Sequence, residues 1–426
     1  MKETGFSPAD ILLPNEEIDM ERWAVVACDQ YTSQREYWEE ADRIVGDAPS
    51  TLRLILPECY LEEKNKEERI KAIDETMARY LDEGVFRTFS DSYVLVKRDT
   101  ESGTRYGLVG KLDLEEYDYS PSSVSPIRAT EGTILSRIPP RKEIRKNALL
   151  ELPHIMVLIS DSKKSVIEPL AAKRDTLKVL YSSQLMLNGG HVTGYLVDSK
   201  EDKEAISKAL LKIKDSLDRE NPLLFAMGDG NHSLASAKSS WEDIKAKLPE
   251  EERKTHPARY ALVEIENIYD PGLEFEPIHR AFFSLKRSDF DEILSHHAMR
   301  IEKEKLTSTA EAVKLLRRRK RSFAMLSDGE VILYTLDGTE KGLPAWTIQS
   351  VIDEMLHSGK GSVDYIHGIE TVEELAKKGA IGIILPDISK DSFFSSILND
   401  RAFPRKTFSI GHANEKRYYI EARKIR

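Results

Sequence analysis

At 426 residues, with 40% hydrophobic and 32% charged side chains, the chain is an ordered globular polymer too long for one small core, and two or three lobes are expected. A formal net charge of -10 excludes the generally basic surface that grips nucleic acid, so no nucleic-acid partner is expected. Two cysteines, Cys28 and Cys59, supply neither a secreted disulfide framework nor zinc spacing; with no leader-like segment in residues 1–14 and no window near ~18 apolar residues, they predict a cytoplasmic protein without a membrane partner.

The apolar run 23–27 predicts a buried strand that delivers Cys28, Asp29, Tyr31 and Gln34 to a loop, followed by a helix from about Glu36. Ile70, Ile73, Met77, Tyr80 and Leu81 recur at helical spacing, with Gly84 as the stop. Stretches 92–96 and 106–110, joined through Glu101-Ser102-Gly103, predict a hairpin. The Ser- and Pro-rich stretch 117–126 breaks the periodicity and marks a lobe boundary or a crossing loop.

Residues 155–159 read as a buried strand, and 177–187 with 192–197 as a second hairpin around Asn188-Gly189-Gly190, His191 lying near its tip. Ile206, Leu210, Ile213 and Leu217 mark a helix. A strand over 222–227, a tight turn over 228–231, a helix over 233–247 and a strand over 260–266 follow. Beyond Leu285 the pattern predicts a helix over 308–319 and a hairpin around Asp328-Gly329. It continues with a helix opened by the capping box Thr371/Glu374 and stopped at Gly379, then a strand over 381–385. The expected architecture is mixed α/β with three lobes: residues 1–120, a central lobe 121–284 carrying the site, and 285–426.

Chemistry is expected at Met227-Gly228-Asp229-Gly230-Asn231-His232-Ser233. A strand-to-helix turn built from Gly228, Gly230, Asn231 and Ser233 presents backbone N–H groups and a helix N-terminus to a phosphate. Asp229 is suited to orient a metal such as Mg²⁺ or to accept a proton, and His232 to act as acid or base. The plainer reading is a tight turn in which Asp229 or Asn231 caps the helix. A second segment, Arg128-Ala129-Thr130-Glu131-Gly132-Thr133 followed by Arg137, Arg141 and Arg145, joins a base (Glu131) and a hydroxyl (Thr133) to guanidinium groups that bind phosphate. Its plainer reading is a solvated basic loop paired with the acidic surplus.

Asp29, Tyr31, Gln34, His154 and His191 are secondary candidates, a lone histidine being more often structural, and Cys28 reads as an apolar-like residue. His256-Pro257-Ala258-Arg259 and Glu276-Pro277-Ile278-His279-Arg280 read as turns, and Pro404-Arg405-Lys406-Thr407-Phe408 as a solvated tail strand. No Walker lysine loop, G-x-S-x-G or H-E-x-x-H occurs.

From the loop 28–34 through the central segment to 404–408, the chain resembles the bacterial and archaeal family known as domain of unknown function 1015. That family's Asp-Gly-His-His-Arg signature is matched here by Asp229-Gly230-Asn231-His232-Ser233, and its His-Glu-x-Thr by Thr130-Glu131-Gly132-Thr133. Asn231, Ser233 and Thr130 depart from the family pattern, while Asp229, His232, Glu131 and Thr133 agree with it. The short signature is also similar to that of the ParB/sulfiredoxin superfamily, which includes partition proteins and kinases of free serine. This resemblance implies nucleotide binding, and the family's association with serine biosynthesis genes turns the expected substrate toward serine or phosphoserine.

The resulting expectation is a phosphotransferase acting between ATP or ADP and a small hydroxylated metabolite, or a phosphatase variant. Asp229, His232 and Glu131 would be catalytic, with Mg²⁺ at Asp229. Gly228, Gly230, Asn231, Ser233, Thr133, Arg137, Arg141 and Arg145 would bind phosphate or nucleotide. The alternative is a nucleotide-binding regulator without net chemistry.

Overall fold

A computed structural model describes residues 4–339 and 341–426. The chain forms two compact units, one of residues 1–274 with 411–426 and one of residues 275–410.

In the first unit, strand Phe86–Thr100 pairs antiparallel with Gly103–Asp113, as the hairpin reading predicts. Their inward residues alternate between two cores: Val94, Val96 and Val109 pack on one side, Tyr93, Leu95 and Leu108 on the other. A sheet covered on both faces needs apolar residues in succession, which is why these strands read as runs. The sheet continues from Val179–Gln184 and His191–Val197 through this hairpin to Tyr260–Asn267, Met156–Ile159, Phe225–Asp229, Ile127–Arg128 and Tyr117–Asp118. Most neighbours are antiparallel, but Tyr260–Asn267 runs parallel to Met156–Ile159, and Phe225–Asp229 parallel to Ile127–Arg128.

Two compact units replace the three expected lobes. Residues 117–126 are a crossing loop rather than a boundary, because Tyr117–Asp118 and Ile127–Arg128 pair with each other in one sheet. Strands from both expected lobes share that sheet and its two cores, so neither half buries its apolar surface alone. The first apolar run is also redistributed: Met20–Trp23 is helical and only Val25–Val26 is strand.

The second unit carries a sheet in the order Arg300–Leu306, Glu330–Asp337, Ser322–Ser327, Ile381–Ile384, His279–Phe283, Ser362–Ile366. Its helix Ile369–Lys377 starts after Gly368, which places Thr371 inside the helix, so the expected capping box does not open it. Residues 404–408 are no solvated tail, since Thr407 and Phe408 are buried and Phe408–Ile410 pairs with Phe275–Pro277.

Candidate functional site

The motif strand extends further and its turn is tighter than the sequence suggests. Strand Phe225–Asp229 shifts register between Met227 and Asp229, making Gly228 a bulge, and helix Asn231–Lys245 begins immediately after Gly230. Gly230 alone makes the turn, at φ +78°, and a Cβ there would lie 3.1 Å from the Ile155 Cα. Both facts demand glycine. Glycine has no side chain to cap the helix, so no side chain takes up the first-turn N–H groups that an α-helix leaves without intrahelical partners. Neither Asp229 nor Asn231 caps this helix.

The segment 130–134 is clasped across that helix start. Thr130 donates its N–H to Asn231 Oδ1 at 3.2 Å, and its hydroxyl donates to the Met227 carbonyl at 2.6 Å. At the other end the Ile134 N–H donates to His232 Nε2 at 3.2 Å. Glu131 therefore sits on a stretch pinned at both ends to the turn and helix start, and the Thr133 hydroxyl is buried with no hydrogen-bond partner among the described residues. Burial, with Arg141 and Arg137 nearby, pushes the His232 imidazole down to about 4, so this ring is neutral near pH 7 and its Nε2 serves the backbone. That hydrogen bond stitches residues 130–134 to the start of the helix.

Asp229 is held by two donors, Lys416 Nζ at 3.1 Å and the Gly230 N–H at 2.8 Å. Burial alone would raise its carboxyl, but Lys416 and His154 outweigh burial and hold it below the ordinary value. Ser233 Oγ lies 2.8 Å from His154 Nε2, and His154 Nδ1 lies 2.7 Å from the Tyr419 hydroxyl, which also accepts from the Cys28 N–H. Asp29 Oδ2 approaches His154 Nε2 to 4.0 Å. Cys28, His154, Ser233 and Tyr419 border a cavity of about 150 Å³ whose lining is mostly apolar and also includes Glu58 and Arg141. Burial, then Asp29 and Glu58, push the Cys28 thiol up, so it is no ready nucleophile. Among the described residues no three His, Cys, Asp or Glu side chains converge as a metal site, and Asp229 already serves a cation.

The three arginines do not converge on an anion. Arg141 pairs with Glu58, and Arg145 pairs at 2.5 Å with Glu151, a carboxylate shared with Arg423 and the Leu262 N–H. Both guanidinium groups neutralise partly buried carboxylates of their own unit, and Arg137 alone is exposed. Of the secondary candidates, Asp29 and His154 join the site. His191 contacts Ser182 in its hairpin, Tyr31 stacks on Tyr37, and Gln34 precedes the helix Arg35–Val45. His256 accepts from the Ala258 N–H and so sets a turn.

A profile of the family described as proteins of unknown function, DUF1015, matches residues 10–355. The chain belongs to this family. No curated protein is a significant match. A solved structure of a free serine kinase, as a mutant in complex with ADP, is 12% identical with a TM-score of 0.41, covering 74% of this chain and 91% of its own. A conserved hypothetical protein from Pyrococcus furiosus is 11% identical with a TM-score of 0.36, covering 73% and 90%. A C-terminally truncated SbnI from Staphylococcus aureus is 10% identical with a TM-score of 0.36, covering 71% and 82%. Among the described residues no helix is long and apolar enough to cross a membrane.

Sequence reasoning missed Lys416 and Tyr419, which lie beyond the residues matched by the family profile. Tyr419 and His154 are 265 residues apart, and no local spacing announces their meeting. Glu58 was likewise invisible, its partner Arg141 lying 83 residues away in the chain.

Proposed function

We propose that this protein moves a phosphoryl group between a nucleotide, ATP or ADP, and a small hydroxylated metabolite of the serine and phosphoserine class. The observation that supports it best is the uncapped start of helix Asn231–Lys245 at Gly230, set beside the buried Lys416–Asp229 pair. The N–H groups and dipole at a helix start favour an anion, and Lys416, ion-paired with Asp229 at the end of the preceding strand, lies beside that turn. In this reading the phosphoryl oxygens take the N–H groups of Asn231, His232 and Ser233, the Thr133 hydroxyl adds a donor, and Glu131 accepts the acceptor's hydroxyl proton. Asp229 keeps Lys416 aimed at the turn.

One observation favours the alternative of a nucleotide-binding regulator: His232 Nε2 is committed to the backbone of Ile134, so a ligand at the helix start and the 130–134 segment share one hinge. The separating experiment incubates the whole protein with ATP as its magnesium salt and serine, or ADP and phosphoserine, and follows product by mass spectrometry and ligand binding by melting temperature. Product formation that falls by about 10²–10⁴-fold in Glu131→Gln is the expected result. Melting shifts without product leave the regulator; neither shift nor product ends both readings.

A further inference from the structure

The chain Ser233–His154–Tyr419 has the parts of an activated nucleophile, and the phosphate-cradle reading uses only the Ser233 backbone N–H, none of these side chains. We infer that Ser233 is the nucleophile that carries the transferred group, with His154 as its general base and Tyr419 as the group that orients the imidazole. This deepens the function proposed above and rests on it for the identity of the cargo, a phosphoryl group.

Three observations point there. Ser233 Oγ stands 2.8 Å from His154 Nε2, within proton-transfer distance. The ring is held from its far side by the Tyr419 hydroxyl, 2.7 Å from Nδ1, and that hydroxyl is itself fixed by the Cys28 N–H at 3.1 Å. With Nδ1–H donated to the phenolic oxygen, Nε2 presents its lone pair to Ser233, the arrangement in which a third group orients the base. His154 and Tyr419 are buried while Ser233 is only half-buried, and all three border the same cavity, so the nucleophile is reachable and its base is shielded. Asp29 Oδ2, 4.0 Å from Nε2, is placed to stabilise the imidazolium once the proton has moved. Ser233 is also the third residue of the helix, so the phosphoryl oxygens on its Oγ would face the first-turn N–H groups.

The step balances as a double displacement. Ser233 Oγ attacks the terminal phosphorus of the nucleoside triphosphate. The new O–P bond forms as the bridging P–O bond breaks, the nucleoside diphosphate leaves with the electron pair, and the serine proton passes to His154 Nε2. The acceptor hydroxyl then attacks phosphoserine 233 and yields its proton to Glu131. The Ser233 oxygen leaves with the bonding pair and recovers its proton from His154, and Glu131 releases its proton to water.

The test treats the full-length protein with a small alkyl fluorophosphonate, which reports an activated serine whatever the natural cargo, and in parallel with ATP followed by acid quench and peptide mapping. Expected are labelling of Ser233 by the fluorophosphonate and phosphorylation of Ser233 by ATP. ADP–ATP exchange without acceptor should also occur, and all three should be lost in Ser233→Ala. His154→Gln should slow labelling on the order of a hundredfold. Tyr419→Phe should slow it while leaving Ser233 present, which a merely structural serine would not show. Melting temperatures check that each variant folds, and Ser233→Thr, which keeps a hydroxyl, should retain part of the labelling. Full turnover by Ser233→Ala, with no label on the native protein, overturns the inference and leaves the phosphoryl-transfer function standing. Label without turnover or phosphorylation from any nucleotide overturns that function, and with it the phosphoryl cargo.

Discussion

Thr130 and Asn231 face each other across the candidate site, the Thr130 N–H donating to Asn231 Oδ1 at 3.2 Å and Asn231 Nδ2 reaching the Thr130 hydroxyl at 3.5 Å. These are two of the three positions at which the chain departs from the family pattern it resembles. The departures are thus mutual partners, and exchanging one without the other breaks a contact.

Thr130→Val and Asn231→Ala should each cost about 1–2 kcal/mol of unfolding free energy, since each strands a polar partner, the first at a fully buried position. The double variant should cost less than the sum, with a coupling of about 0.5–3 kcal/mol. Denaturant titration of the four proteins measures it. Strict additivity would show that the two side chains act independently.

Arg145 and Arg137 should separate stability from binding. Arg145→Ala leaves Glu151 with Arg423 and the Leu262 N–H, so a loss of about 1–3 kcal/mol is expected with unchanged nucleotide affinity. Arg137→Ala should leave the melting temperature alone and weaken nucleotide binding several-fold at low salt, an effect that screening removes. A reversed pattern in calorimetry and binding isotherms would restore Arg145 as a phosphate ligand.

His232 sets one arm of the stability–pH curve. Its folded value near 4 lies below the ordinary 6.5, so the unfolded chain binds the proton more readily. The stability it contributes is whole above about pH 6.5 and drains away as pH falls toward 4. Allowing for partial solvent access, the loss is on the order of 2 kcal/mol. His232→Gln should flatten this window relative to the native protein. An unchanged slope between pH 6.5 and 4 would place the imidazole in solvent.

Glu266 works in the opposite direction. Burial, opposed by Arg105 and reinforced by Glu264, pushes its carboxyl up to about 8, so the folded chain holds this proton while the unfolded chain releases it near 4.5. Stability from this group is full below about pH 4.5 and declines as pH rises through 8. Glu266→Gln, which imitates the protonated form and keeps an acceptor for Arg105 Nε at 3.1 Å, should therefore be more stable than the native protein at pH 9 by a few kcal/mol. A destabilised variant at pH 9 would mean that Glu266 is ionised in the fold.

Elements with a strong local period were legible in advance. The helix Lys66–Asp82, the hairpin Phe86–Thr100 with Gly103–Asp113, and the strand-to-helix passage at Gly230 all follow from apolar spacing and glycine placement, which are properties of neighbouring residues. The partners of the charged residues were not legible. Arg145 looks like a phosphate ligand because guanidinium chemistry is the same toward Glu151 as toward a phosphate, and only the fold chooses between them.

Composition, periodicity and glycine placement thus determined by themselves that this is a mixed α/β chain with a strand-to-helix turn over residues 228–233. Tertiary structure alone decided which groups surround that turn. It returned residues 411–426 to the first unit, setting Lys416 on Asp229 and Tyr419 behind His154, and it set His232 Nε2 against the Ile134 N–H. The physical reason is range: backbone preference acts over a few residues, whereas desolvation and charge pairing depend on whatever the closed chain brings within a few ångströms.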